Sequence, residues 1–217
     1  MAVQSAPLQQ TIRIDTQYLQ AKRLLDFSLT LVILLFCLPV FLVVSALILI
    51  ESKGRGSIFY RQRRVGQDGV EFDMLKFRSM YENADQRAHQ EHILKYMNGE
   101  TTGKIKNDPR ITRVGRFIRK TSIDELPQFF NVLRGEMTLV GPRPPLPYEV
   151  TEYSEHDRLR LCGKPGVTGL WQVYGRNRVT FGKMVEMDID YLQHQSILED
   201  LKLIALTFPA MVKGVGE

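Results

Sequence analysis

One segment breaks the alternation of polar and apolar residues along this chain: Phe27 to Ile50 holds no charged residue over 24 positions. As a straight helix it would be about 36 Å long, enough for a bilayer core of about 30 Å. It is longer than the apolar part of a cleavable leader, and no small-residue cleavage site follows it. A soluble domain of this size has no interior that covers so long an uncharged stretch on every side. Pro39 stands at its centre, with 12 residues before it and 11 after. Proline removes a backbone donor and clashes with the carbonyl four residues back, costing about 3 kcal/mol in a helix, so the pattern predicts a bend there. Lys22 and Arg23 precede the segment, and Lys53, Arg55, Arg61, Arg63 and Arg64 follow it. Both flanks therefore carry the positive charge typical of the cytoplasmic side. These residues leave two readings open: a kinked spanning helix, or a hairpin that enters one leaflet and returns.

The remaining pattern is that of a water-compatible protein. The first 20 residues are polar and without period, as expected of a flexible lead-in. After a glycine and serine linker from Ser52 to Ser57, the stretches Ile58 to Val65 and Val70 to Arg78 read as strands. Between them Gly66-Gln67-Asp68-Gly69 is a turn signal, so a hairpin is predicted whose basic residues are available to lipid headgroups. Tyr81 to Tyr96 reads as a polar helix and Met97 to Pro109 as a loop. Ile111 to Arg119 sets Ile111, Val114, Phe117 and Ile118 at helical spacing, with Arg110, Arg113, Arg116, Arg119 and Lys120 around them. Such a basic amphipathic helix suits an anionic lipid surface or a phosphate-bearing substrate, and equally a merely solvated face. Phe181 to Gln195 and Ile197 to Lys213 are two more helical stretches, the second apolar and interrupted by Pro209. It fits the membrane interface and the protein core equally well. The pattern as a whole predicts an α+β fold, mainly helical.

Composition narrows the partners without choosing one. The 29 Lys and Arg against 24 Asp and Glu leave a net charge of +5, which admits lipid headgroups, nucleic acid or phosphorylated substrates. No nucleic-acid motif or aromatic-basic stacking strip is present. Cys37 and Cys162 give neither a disulfide framework nor metal-ligand spacing, and His89 and His92 lack a third ligand nearby.

Three runs carry candidate chemistry. In Arg119-Lys120-Thr121-Ser122-Ile123-Asp124-Glu125-Leu126-Pro127-Gln128, Ser122 and Glu125 have capping-box spacing ahead of a helix through Phe129, Phe130 and Leu133. The same geometry, a helix start beside Arg119 and Lys120, also suits phosphate, and its carboxylates suit a metal or attack on phosphorus. In Val140-Gly141-Pro142-Arg143-Pro144-Pro145 an arginine is fixed on a stiff backbone, apt for bidentate binding of phosphate. Gly166-Val167-Thr168-Gly169 through Trp171, Gln172 and Arg176 combines turn glycines with the only tryptophan. Glycines there permit close backbone approach to a ligand.

From about Lys22 to Lys213 the chain resembles the bacterial sugar transferases, the polyprenyl-phosphate phosphoglycosyl transferases that begin assembly of surface polysaccharides. The resemblance rests on Lys22-Arg23-Leu24-Leu25-Asp26, Lys76-Phe77-Arg78-Ser79-Met80, Thr121 through Gln128, Val140 through Pro144 and Gly166 through Arg176, in that order. It implies a monotopic enzyme of the inner membrane. Residues 1–20 would be the lead-in, 21–51 a re-entrant helix-break-helix centred on Pro39, and 52–217 a catalytic domain on the cytoplasmic face. Larger members carry spanning helices and a further domain, and these residues read as the core alone. The resemblance further implies that Asp124 attacks the sugar-bearing phosphate of a UDP-sugar, releasing UMP, and that polyprenyl phosphate then takes the phosphosugar. Glu125 would help hold Mg2+, with Arg119, Arg143 and Arg176 as phosphate clamps. Many relatives have serine before the breaking proline. Here that residue is Leu38, so Ser28, Thr30 or Ser45 would have to bond the freed carbonyls.

Two alternatives stand beside this reading. Asp188-Ile189-Asp190 offers the metal motif of glycosyltransferases that release UDP, although residues two apart on a helix do not share a face. A membrane-tethered basic module without catalysis is the other. The sequence names neither the sugar nor the oligomeric state, and a homo-oligomer is compatible with its amphipathic stretches.

Overall fold

The computed structural model describes residues 15–81, 87–101, 108–175 and 179–213. Asp15 caps the first helix by accepting from the Gln17 amide at 2.9 Å, and α1 then runs from Thr16 to Glu51 with Pro39 inside it. The two helices expected on either side of a break are thus one continuous element, and residues 16–20 of the expected lead-in belong to it. One missing amide donor interrupts a single turn of bonding. The face that carries α1 is occupied on both sides of that turn. Lys22, Asp26 and Thr30 are buried before Pro39, and Phe41, Val44 and Ile48 after it. Thr30 Oγ1 has no hydrogen-bond partner, so it does not serve a freed carbonyl as expected. The opposite face is apolar and open, with Leu24, Leu35, Phe36 and Ile50 each at least 70% exposed.

The predicted hairpin is present. Strand β1, Phe59–Val65, pairs antiparallel with β2, Glu71–Phe77, placing Phe59 opposite Phe77 and Val65 opposite Glu71. Asp68, at φ 55°, makes the turn between them. Helix α2, Arg87–Met97, overlaps the expected polar helix and extends one residue past it into the expected loop, and residues 82–86 and 102–107 fall outside the described ones. The basic helix is α3, Arg113–Lys120, capped by the Thr112 hydroxyl on the Gly115 amide at 2.9 Å. Gly115 is required there: a Cβ would lie 2.0 Å from the Ser79 carbonyl oxygen. Helix α4, Gln128–Arg134, ends on Gly135 in the left-handed region. Strand β3, Thr138–Val140, then pairs in parallel with β4, Gly166–Thr168. Between these strands lie α5, Pro147–Thr151, and α6, Glu155–Arg158. Helices α7, Leu170–Tyr174, α8, Phe181–His194, and α9, Ile197–Lys213, complete the fold. Asp200 and Leu203 of α9 are fully buried, so that part of the helix packs on the core rather than at a lipid interface.

Two apolar clusters hold these elements. The larger joins Met74, Val132, Leu139, Val140, Val185, Leu192 and Leu203. The smaller sits under the second half of α1, where Phe41, Val44 and Ile48 meet Phe77 and Ile118, with Ile123 and Leu126 against them.

The start of α1 is docked by polar contacts instead. Lys22 Nζ donates to Asp200 Oδ2 at 2.7 Å, and Tyr18 and Tyr191 donate to the same carboxylate at 3.0 and 2.5 Å. Asp26 accepts from the Thr138 hydroxyl and from the Leu139 amide. Arg23 donates to the Val132 and Leu133 carbonyls at 2.6 and 2.8 Å, satisfying the C-terminal end of α4. Read from sequence as charges that orient the segment in a membrane, Lys22 and Arg23 are internal fastenings. Arg64 is buried as well, while Lys53, Arg55, Arg61 and Arg63 are exposed, Arg63 being paired at the surface with Glu71 and Asp73.

Candidate active site

The acid pair lies in a turn unlike the expected helix start. Ser122 adopts φ 57°, a left-handed conformation uncommon for a residue with a Cβ, and its side chain makes no capping bond. The capping box therefore does not form. Ile123–Glu125 is a single tight turn, closed by the Leu126 amide on the Ile123 carbonyl at 3.1 Å, and α4 begins only after Pro127. Leu126 keeps helical backbone, but Pro127 has no amide to bond the Ile123 carbonyl, so the acid turn does not run on into α4 as regular helix. Strained backbone of this kind collects at functional sites. It leaves Asp124 buried, at 8% exposure, and the Glu125 side chain 43% exposed. Ile123 and Leu126, on either side of the pair, pack against the smaller cluster, where α1 meets Phe77 of β2 and Ile118 of α3.

Lys76 of β2 donates to Glu125 Oε1 at 2.9 Å. In sequence Lys76 was legible as part of a motif but without a role. Arg119 lies in the last turn of α3, half-buried, with Asp108 within its electrostatic range. Arg176 falls outside the described residues.

Arg143 follows β3 and is held from several sides. Its guanidinium donates to Glu149 at 3.1 and 3.4 Å, and its carbonyl accepts from Arg160 at 3.1 Å. Arg160, itself fully buried, also donates to Asp188 and to the Tyr153 hydroxyl. Burial works against the charge on Arg143, but Glu149 holds its pKa above the usual arginine value. Burial alone would push the Glu149 carboxyl up. Arg143, Arg64 and Arg160 together outweigh it and hold the group below the usual range. The same arrangement disposes of the Asp-x-Asp motif. Asp188 is buried on Arg160, whereas Asp190 is exposed and pairs with His194, so the two do not share a ligand.

The glycines of the third run meet backbone rather than a ligand. A Cβ on Gly166 would lie 2.1 Å from the Gly141 amide nitrogen, and one on Gly169 would lie 2.3 Å from the Gly141 carbonyl oxygen. These contacts let β4 reach the strand that leads into Pro142-Arg143-Pro144. Trp171 packs against the larger core cluster.

The hairpin connects the acid turn to the arginine loop. Lys76 and Arg64 occupy the same face of the β1–β2 pair by register, and Arg64 donates to the Pro144 carbonyl at 2.7 Å while Lys76 holds Glu125. Arg64, Glu149 and Arg160 are therefore parts of the site that sequence reading missed or took for flanking charge. Glu125, bonded to Lys76 and in electrostatic range of Arg64, is thus the member of the acid pair tied to the cations of the hairpin.

The carboxylates also fit a magnesium ion. Among the described residues no group of three His, Cys, Asp or Glu converges, so the protein alone forms no closed cage. Mg2+ is commonly held by one or two carboxylates with water and substrate phosphate completing its shell, which Asp124 and the half-exposed Glu125 suit.

A family model described as bacterial sugar transferase matches residues 15–214. The galactosyl transferase CpsE of Streptococcus agalactiae serotype III is 44% identical over 202 residues, covering 92% of this chain and 44% of that protein. The exopolysaccharide production protein ExoY of Sinorhizobium fredii is 42% identical over 199 residues, covering 90% of this chain and 87% of that one. The UDP-glucose:undecaprenyl-phosphate glucose-1-phosphate transferase of Xanthomonas campestris pv. campestris is 40% identical over 202 residues, covering 89% and 39%. The chain thus spans most of ExoY and less than half of the other two.

Proposed function

We propose, from the premise that this chain belongs to the bacterial sugar transferase family, that it transfers a sugar-1-phosphate from a UDP-sugar to undecaprenyl phosphate, the initiating step of a surface polysaccharide. The observation that carries the reading is the acid turn, in which Asp124 is buried beside Glu125 and the flanking Ile123 and Leu126 pack against the cluster that α1 shares with β2 and α3. In the proposed reaction a carboxylate oxygen of Asp124 attacks the sugar-bearing phosphorus. The bond from that phosphorus to the bridging oxygen breaks, and UMP leaves. An oxygen of undecaprenyl phosphate then attacks the same phosphorus, the acyl phosphate bond breaks, and Asp124 is regenerated with undecaprenyl-diphospho-sugar as product. Glu125, beside Asp124, would hold Mg2+, which when bound neutralises diphosphate charge. Lys76 restrains Glu125, and in this reading Arg143 and Arg119 would clamp phosphate.

The structure supports a re-entrant placement of α1. Its start is bonded to Asp200 and its last residue, Glu51, accepts from the Arg113 amide at 2.8 Å, so both ends rest on one folded unit. A segment fastened in this way enters and leaves on the same side, the cytoplasmic side in this proposal. Only 11% of its most apolar 18-residue window is buried, which favours lipid over a protein interior. The acid turn would then lie at the headgroup plane, where a soluble donor meets a lipid-borne acceptor.

The test is a reaction of detergent-solubilised protein with undecaprenyl phosphate, Mg2+ and a panel of UDP-sugars, with nucleotides separated by chromatography. UMP is the expected product, and Asp124→Asn is expected to abolish it while remaining in the membrane fraction. UDP as the sole nucleotide would overturn phosphosugar transfer, and full activity of Asp124→Asn would remove Asp124 as nucleophile.

A further inference from the structure

Arg64 of β1 is buried, at 5% exposure, yet all of its hydrogen-bond acceptors are neutral. It donates through Nη1 to the Pro144 carbonyl at 2.7 Å, and through Nη2 and Nε to Gln62 Oε1 at 2.8 and 3.3 Å. Glu149 and Glu125 act on it electrostatically without either forming an ion pair with it. The two buried carboxylates of this region are committed elsewhere, Glu149 to Arg143 and Asp188 to Arg160. Among the described residues, three guanidiniums of this region thus face two buried carboxylates. Burial and the like charge of Arg143 bring Arg64 down to about 10, which still leaves it protonated at neutral pH. The Tyr148 hydroxyl, in electrostatic range of both Arg64 and Arg143, is buried without a hydrogen-bond partner.

A buried cation without its own counter-ion is costly to the fold. Neutral packing would serve the Pro144 carbonyl more cheaply. Backbone contacts already fasten the same loop: the Val65 amide donates to the Pro145 carbonyl at 2.9 Å and the Gly166 amide to the Pro142 carbonyl at 2.8 Å. What a guanidinium adds is charge, placed behind Arg143 and electrostatically linked to Glu125.

We propose that Arg64 is a positioning residue of the donor site, holding the Pro142–Pro145 loop behind Arg143 and leaving it one positive charge in excess for a nucleoside diphosphate group to neutralise. This rests on the transferase reading above. It predicts an exchange of stability for binding, since removing the charge relieves the empty protein and weakens the complex.

Detergent-solubilised wild type, Arg64→Gln and Arg64→Lys are compared for thermal melting and for binding of UDP, which carries the diphosphate whatever the sugar. Arg64→Gln is expected to melt at or above the wild-type temperature without ligand, and to bind UDP about tenfold more weakly, equivalent to about 1.4 kcal/mol. Its UDP-induced rise in melting temperature shrinks accordingly. Arg64→Lys, which keeps the charge, is expected to recover most of the affinity. UDP binding by Arg64→Gln equal to wild type overturns the proposal. So does a loss of melting temperature that is the same with and without UDP and is not rescued by lysine, since that marks a purely structural residue. Wild type that binds no UDP and transfers no phosphosugar defeats the transferase reading and this one together. Active wild type with an indifferent Arg64 defeats only this one.

Discussion

Replacing Lys22 by methionine separates the two roles the sequence and the structure give this residue. If Lys22 were a headgroup-facing charge, its loss would change membrane affinity and leave the fold alone. In the structure its side chain is 8% exposed, and the Asp200 carboxylate it meets at 2.7 Å is 1% exposed. Neither group is open to screening by solvent, so the small values typical of surface pairs do not apply. Methionine fills much of the same volume but leaves Asp200 with only the hydroxyls of Tyr18 and Tyr191. Breaking a buried pair from one side costs about 3–5 kcal/mol. For a chain of this size each kcal/mol is worth about 2–4 °C, which places the loss at about 6–20 °C in melting temperature. Fluorescence of Trp171, the only tryptophan, follows the transition in detergent. Lys22→Met combined with Asp200→Asn should recover part of the loss, because the stranded charge is gone. A melting temperature within 2 °C of wild type for the single variant, or a loss that disappears at high salt, would refute the buried-pair account.

Two further outcomes follow from the geometry of the site. Gly115→Ala sets a methyl group 2.0 Å from the Ser79 carbonyl oxygen, which is backbone and cannot rotate away. Overpacking of this kind costs about 1–3 kcal/mol, read as a lowered denaturation midpoint, and an unchanged midpoint would show that α3 can shift freely. Glu149 has its pKa depressed in the fold, so its contribution to stability is present above the unfolded value of about 4.3 and is lost as pH falls through the folded value. Melting curves from pH 3 to 7 should therefore fall more steeply at the acid end for wild type than for Glu149→Gln, and parallel curves would exclude the carboxylate from the arginine cluster.

Much of the fold was legible because its signals are local. The hairpin was written in the Gly-Gln-Asp-Gly turn between two apolar runs, and α3, α8 and α9 in their helical spacing. The misreadings came where residues distant in sequence decide. Ser122 and Glu125 have the spacing of a capping box, but Pro127 delays the helix and the turn takes another form. Lys22 and Arg23 looked like charges beside a membrane segment, and nothing local shows that their partners are 178 and about 110 positions away. Arg64 is hidden for the same reason. Its significance depends on Glu149 and Asp188 being already committed, which only the folded arrangement reveals. Asp124, Glu125 and Arg143 stood out as candidates because each sits in a short distinctive run, whereas the contact between Lys76 and Glu125 could not be read from sequence.

The two ends of α1 have a consequence for how this protein comes into being. Arg23 completes the last turn of α4, Glu51 completes the first turn of α3, and the acid turn is strung between those two helices. The second half of α1 supplies Phe41, Val44 and Ile48 to the cluster against which Ile123 and Leu126 pack. The apolar helix thus helps to order the helices on either side of the acid turn. Deleting it to obtain a soluble enzyme removes one terminal partner from each flanking helix, the counter-ion of Asp200 and the surface beneath the turn. A chain without α1 therefore loses contacts that order both helices flanking the acid turn.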